Sequence, residues 1–279
     1  MTDSADGIYE LTRAEYDAID RLRWSDLKVM DRSPAHFRHN LLVKRETTDA
    51  LALGIATHIA TYQPELFRNE VLPWEGNRSG GEWKIFEAAN RERTILKKDA
   101  FDLALAMATA VRADKYAGRY VENGKAEQTV LWTYKRHDGG EIKLKSRLDF
   151  VSRLGALTDL KTARDGSIDK FGRFAYEYGY HGQGAFYQAG LAAVIGEELP
   201  YLLIAVEKAQ PHVVQIHELK GAALAAGRDL YTRLLDRWWE CREANRWPGY
   251  ADGPVELELP RWAFDSDTDL EDFGMKEAG

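Results

Sequence analysis

The chain has one cysteine, Cys241, in 279 residues. A lone thiol cannot close an intrachain disulfide, and it excludes any all-cysteine zinc or iron–sulfur site. No apolar run approaches the roughly 20 residues that a membrane-spanning helix needs. The opening MTDSADGIYE lacks the charged and apolar regions of a signal peptide. A reducing cytoplasm, with no membrane partner, is the expected setting. Neither a Gly-x-Gly-x-x-Gly turn nor a Gly-x-x-x-x-Gly-Lys-Ser/Thr loop occurs, and Gly179, Gly182, Gly184 and Gly190 fit neither spacing. Dinucleotide and ATP chemistry therefore have no visible anchor. Cys241 lies between Glu240 and Arg242 in a tryptophan-rich stretch, the setting of an inert packing residue rather than a nucleophile.

Positive charge is also short overall, with a formal balance of −7. Its distribution matters more than its sum. From Gly249 to the end, nine acids stand against Arg261 and Lys276, so the tail carries the whole excess and the first 248 residues are neutral. Within that neutral body, Arg21 to Arg45 holds seven Lys/Arg against Asp26 and Asp31. Such a chain can bind phosphates locally despite its acidic total. The tail DSDTDLEDF has the composition of a disordered, solvated segment.

What is present is a globular mixture, 44% hydrophobic and 30% charged. WSDLKVMDRSPAHFRHNLL reads as two short helices, with Ser25 capping the first and Ser33-Pro34 opening the second. TDALALGIATHIATYQPELF has helical spacing and is stopped at Pro64. GNRSGGEW, 76–83, reads as a loop, and 98–120 as one long amphipathic helix. Three strand-like runs follow at 126–136, 141–151 and 156–161, then a helix at 181–194, strands at 201–207 and 212–218, and a helix from 221 to 246. This order predicts a mixed α/β (α+β) fold with helices around one central sheet. The expected divisions are an N-terminal extension over 1–20, the main domain over 21–263 and the acidic tail over 264–279.

One stretch concentrates chemistry. In KSRLDFVSRLGALTDLKTA a period of two places Lys145, Arg147 and Asp149 on one face of the first run, and Asp159 and Lys161 on one face of the second. If the turn at 152–155 sets the two runs side by side, Asp149 and Asp159 can hold a hard divalent cation such as Mg²⁺ beside a phosphate. Lys161 could then orient or deprotonate a water, or neutralise charge in the transition state. A solvated hairpin with salt-bridged charges is the bland alternative. Glu127 precedes these residues on the neighbouring strand, as a further acid of the cluster or an ordinary edge residue. Gln183 and Tyr187, four apart, share a helix face. His58 interrupts an otherwise apolar helix, as a core histidine or a metal ligand.

The series Gly54-Ile-Ala-Thr-His58, Glu127, Arg147-Leu-Asp149, Asp159-Leu-Lys161 and Gln183-x-x-x-Tyr187 resembles the PD-(D/E)XK nuclease superfamily, in the branch with a motif-one histidine and a Gln-x-x-x-Tyr helix. The flanks WSDLKVMDRSPAHF, ALGIATHIATYQPELF, RWPGY and ELPRW are similar to those of the RecE-like exodeoxyribonuclease VIII domain, so the likeness spans about residues 22–263. It implies a restriction-endonuclease-like core and a Mg²⁺-dependent exonuclease, with Mn²⁺ as a substitute, degrading one strand of linear duplex DNA 5′ to 3′ for phage or prophage recombination in a bacterial host. By the same resemblance Asp149, Asp159 and Lys161 are catalytic, and His58, Asp149, Asp159 and Glu127 bind metal, Glu127 with the weakest match. Gln183, Tyr187 and Arg147 support the site or touch substrate. The resemblance implies further a homo-oligomeric ring around the DNA and a single-strand annealing protein as partner, without an iron–sulfur cluster or ATP. The same chemistry would serve an endonuclease, and the fold without hydrolysis would serve a DNA-binding module.

Overall fold

The computed structural model describes residues 4–43, 47–260 and 263. The acidic tail expected to be disordered, 264–279, lies outside the described residues, as do Lys44 and Arg45 of the basic segment. The chain opens with β1 (Gly7–Tyr9), α1 (Arg13–Ala18), β2 (Leu22–Arg23), α2 (Trp24–Leu27), a 3₁₀ turn over Lys28–Asp31 and α3 (Pro34–Asn40). Then come α4 (Asp49–Tyr62), α5 (Pro64–Glu70), β3 (Val71–Trp74), α6 (Gly80–Ala89), β4 (Thr94–Lys97), α7 (Lys98–Ala113) and α8 (Ala117–Glu122). The sheet follows with β5 (Gly124–Lys135), β6 (Glu141–Ser152) and β7 (Ala156–Ala163). Next are α9 (Ile168–Glu177), α10 (Tyr180–Ile195), β8 (Tyr201–Glu207), β9 (Val214–Leu219) and α11 (Gly221–Glu243).

The central sheet runs β1-β5-β6-β7-β8-β9, with β2 also paired to β6. It is mixed: β7 and β8 are parallel, which requires a crossover, and α9 with α10 provides it. Helices cover both faces. On one, Trp132, Leu144, Leu148 and Leu203 pack with Phe186 of α10 and Leu234 of α11. On the other, Phe150, Leu160 and Ile204 pack with Ala56 of α4 and Met107 of α7. The expected mixed α/β architecture with a helix-flanked central sheet is the one found.

Local chemistry explains several boundaries. Ser33 caps α3 by accepting from the His36 amide, while α2 begins at Trp24 without the expected Ser25 cap, its N-cap being Arg23. Thr48 caps α4, and Pro64 ends that helix only to open α5, where its missing N–H costs nothing. The segment read as a loop contains the start of α6. The long helix read over 98–120 breaks at Asp114, whose carboxylate accepts from the Tyr116 and Ala117 amides and starts α8.

The first 20 residues, read as an extension, add β1 to the edge of β5. They also change the meaning of Lys145, which the period of two places on one face with Arg147 and Asp149. Its side chain is buried, 3% exposed, and donates to the carbonyls of Tyr16 (2.8 Å), Ile19 (2.7 Å) and Asp17 (3.5 Å) while lying 4.6 Å from the centre of the Tyr16 ring. The period-two reading placed it correctly on its face but could not see that the N-terminal segment covers that face. Burial, then the like charge of Arg23, pushes its ammonium down to about 8, against the carbonyls that hold the charged form. Lys145→Met is expected to cost about 2–3 kcal/mol in urea unfolding, because the carbonyls around α1 lose their donor.

Candidate active site

The site forms where three neighbouring strands carry acids in a row. The pairs Ala126↔Phe150 and Gln128↔Leu148 flank Glu127 and Asp149, so these two lie opposite each other on β5 and β6. The pair Phe150↔Thr158 sets Asp149 beside Asp159 on β7. Side-chain alternation breaks here. Val130 and Trp132 of β5 face the α10 core, yet Ala126, of the same parity, faces the α4 core. Leu148 and Phe150 of β6 divide in the same way. Glu127 is where the shift occurs, with φ at 54° in the left-handed region that disfavours a side chain.

His58 reaches the row from α4. Its Nε2 is 3.2 Å from Asp149 Oδ2 and its Nδ1 is 3.4 Å from Glu127 Oε1. Arg147 Nε donates to the other Glu127 oxygen, and its Nη1 donates to the Leu11 carbonyl at 3.1 Å. At the opposite end Lys161 Nζ lies 2.7 Å from Asp159 Oδ1 and donates to Gln183 Oε1 at 3.1 Å. The fold thus brings His58, Glu127, Arg147, Asp149, Asp159, Lys161 and Gln183 into one run, with Tyr187 one turn further along α10, while Lys145 lies apart beneath the N-terminal segment. Gln183 spends its carbonyl on Lys161, and Tyr187 is half-buried against the α10 core.

The electrostatics follow from crowding. Burial disfavours the imidazolium of His58, but Asp149, Glu127 and Asp159 outweigh it and raise the pKa. Burial raises Asp149 as well, yet His58 and Lys161 hold it below the usual carboxylate range. Asp159, 1% exposed, is pushed up by burial and by Asp149, only partly offset by Lys161 and Tyr201. The two acids therefore titrate apart, Asp149 being the more firmly ionised.

Two tyrosines complete the surroundings. Tyr201 of β8 donates its hydroxyl to Asp159 Oδ2 at 2.5 Å. Tyr62 stacks on Phe150, meets the edge of His58 and bonds Thr158 Oγ1 at 3.0 Å. Tyr62 lies four residues after His58 on the same helix face, a signal present in the sequence. Nothing in the apolar run YLLIAV marks Tyr201.

Among the described residues, no three His, Cys, Asp or Glu side chains converge as a ready metal cage. The donor set nevertheless fits a divalent cation. Carboxylates are the ligands of hard divalent cations and imidazole of softer ones, and His58 Nε2 and Asp159 Oδ1 are buried without a well-aligned hydrogen-bond partner. Asp149, Asp159 and His58 are the groups that would hold it.

Glu127 tests how much backbone strain the site carries. Glu127→Gln and Glu127→Gly both remove the carboxylate, but only glycine relieves the φ of 54°. In urea unfolding the glycine variant is expected to be about 1 kcal/mol more stable than the glutamine variant.

Residues 24–257 match the family described as "PDDEXK-like domain of unknown function (DUF3799)". The chain belongs to this family. No curated protein matches it. The PDDEXK-like chain is similar in fold to the crystal structure of a "Putative exonuclease" from Eubacterium rectale, with a TM-score of 0.61 and 17% identity over 93% of this chain and 99% of that one. A second structure, of SSO0001, has a TM-score of 0.30 at 14% identity, over 78% of this chain and 91% of that one, and carries no argument. No helix among the described residues is long and apolar enough to cross a membrane.

Proposed function

We propose that this PDDEXK-like domain is a Mg²⁺-dependent deoxyribonuclease, and specifically an exonuclease that degrades one strand of linear duplex DNA 5′ to 3′ in recombination. The observation that carries the reading is the row Glu127, Asp149 and Asp159 on adjacent strands, closed by His58 at one end and Lys161 at the other. The likeness in fold to a protein described as an exonuclease supports the narrower part, as does the RecE-like motif series.

Asp149 and Asp159 would hold Mg²⁺ or Mn²⁺, with His58 beside them. When bound, the cation would supply Lewis-acid stabilisation of charge on the scissile phosphate. Tyr201 holds one oxygen of Asp159 and so fixes which one faces the site. Both polar neighbours of Lys161, Asp159 Oδ1 and Gln183 Oε1, are acceptors, and the Tyr180 ring lies 4.4 Å beneath it. All three favour the ammonium, so Lys161 donates to the charge developing on phosphate rather than taking a proton from water. Arg147 positions Glu127, and Glu127 positions His58.

The test is incubation of end-labelled linear duplex and covalently closed circular DNA, with Mg²⁺ or with EDTA. Metal-dependent loss of the linear substrate alone is the expected result. Cutting of the circle would make the protein an endonuclease, and binding without cutting would leave only a DNA-binding module. The ring-shaped homo-oligomer belongs to the same proposal, and light scattering that finds only monomer would reject it. A single-strand annealing partner is proposed with it, to be sought by co-purification with such a protein.

A further inference from the structure

Four aromatic rings stand within six residues beside Lys161. The turn from α9 into α10 reads Tyr176-Glu-Tyr178-Gly-Tyr180-His181. Tyr178 closes α9 and Gly179, with φ at 70°, caps α10, so only these two residues separate the helices. This tight reversal pairs the rings. Tyr176 lies over His181 at 5.5 Å between centroids and 14° between planes, and Tyr178 lies over Tyr180 at 5.6 Å and 24°. Tyr180 joins this group to the reaction centre, since Lys161 Nζ sits 4.4 Å from its centroid and 2.7 Å from Asp159 Oδ1. The outer members are open to solvent, Tyr176 by 76% and Tyr178 by 58%.

Exposed rings gathered in one place mark a contact surface rather than a packing solution. Here the ligand is set by what lies next to it. A strand whose phosphate reaches Lys161 carries its bases only a few ångströms further, and flat faces that accept any base by stacking suit an enzyme without sequence preference. We infer that Tyr176 and Tyr178 form a stacking platform for unpaired nucleobases of the strand being cut, next to the scissile phosphate. The inference rests on the nuclease reading for its ligand. Bases inside a duplex have no free face to offer, so the platform engages a frayed or single-stranded end in preference to a fully paired one.

The probe is a DNA duplex ending in two unpaired nucleotides, with 2-aminopurine at the last, on each strand in turn, bound to the full-length protein in EDTA. Stacking quenches its fluorescence. Quenching by the wild type and by Tyr176→Phe/Tyr178→Phe is expected, with binding about ten-fold or more weaker for Tyr176→Ala/Tyr178→Ala. A blunt duplex with internal 2-aminopurine should show neither effect. Absence of quenching, or equal affinity and quenching in the alanine variant, would overturn the platform. Quenching without hydrolysis in Mg²⁺ would reject the nuclease and leave the platform standing, whereas hydrolysis without quenching would do the reverse.

Discussion

Lys161→Met is expected to lower the rate of DNA hydrolysis about 10²- to 10³-fold, the usual loss when one donor to developing transition-state charge is removed. Methionine keeps the length of the lysine stem and its contact with the Tyr180 ring, so the change falls mainly on the charge. It also leaves Asp159, nearly fully buried, without its cation, and some loss of stability must accompany the loss of rate. Thermal unfolding separates the two effects. Saturating Mg²⁺ should raise the wild-type melting temperature by about 5–10 °C, the consequence of a ligand at roughly a hundred times its dissociation constant. Lys161→Met should keep that increment and Asp149→Asn should lose it. If Lys161→Met hydrolyses DNA at the wild-type rate, the lysine has no part in the chemistry.

Gly227→Val should lower the melting temperature by about 10 °C, through a loss of roughly 3 kcal/mol or more. A Cβ at Gly227 would stand 2.2 Å from the His181 carbonyl oxygen and 2.8 Å from its carbon, with Ala185 Cβ at 3.0 Å. Those first neighbours are backbone, so relief requires α10 to move as a body away from α11. That same helix carries Gln183, whose carbonyl steadies Lys161. Activity should therefore fall further than the folded fraction does, measured well below the melting point. Gly172→Ala is the control: nothing lies within 4 Å of a Cβ there, and within α9 the exchange should add about 0.5–1 kcal/mol.

The sheet was legible because β5 and β6 alternate over long stretches, and α11 because its apolar residues recur at helical spacing. α9 escaped although IDKFGRFAYE carries Ile168, Phe171 and Ala175 at helical spacing, because a glycine stands at its centre. β3 and β4 escaped because each has four residues and pairs only with the other. At the site, residues whose chemistry stands out in the sequence, such as Asp149, Asp159, Lys161 and His58, were visible. Tyr201 was not, because its role comes from the β7–β8 pairing rather than from its neighbours in the chain. Strict alternation grouped Arg147 with Asp149 and Asp159 with Lys161, but it takes no account of the shift at Glu127, beside which Ala126 and Phe150 turn to the α4 core.

The family match begins at residue 24, whereas the sheet begins at Gly7. A protein trimmed to that boundary would keep all the proposed catalytic residues and lose β1, which lies along the outer side of β5. The uncovered strand would present a row of free amides and carbonyls, a template for pairing with another molecule. Lys145 would keep its charge and lose the acceptors that α1 and its following turn provide, and Arg147 would lose the Leu11 carbonyl. Aggregation, rather than a clean loss of activity, is what such a truncation should show, and the full N-terminal segment belongs in any sample made for assay.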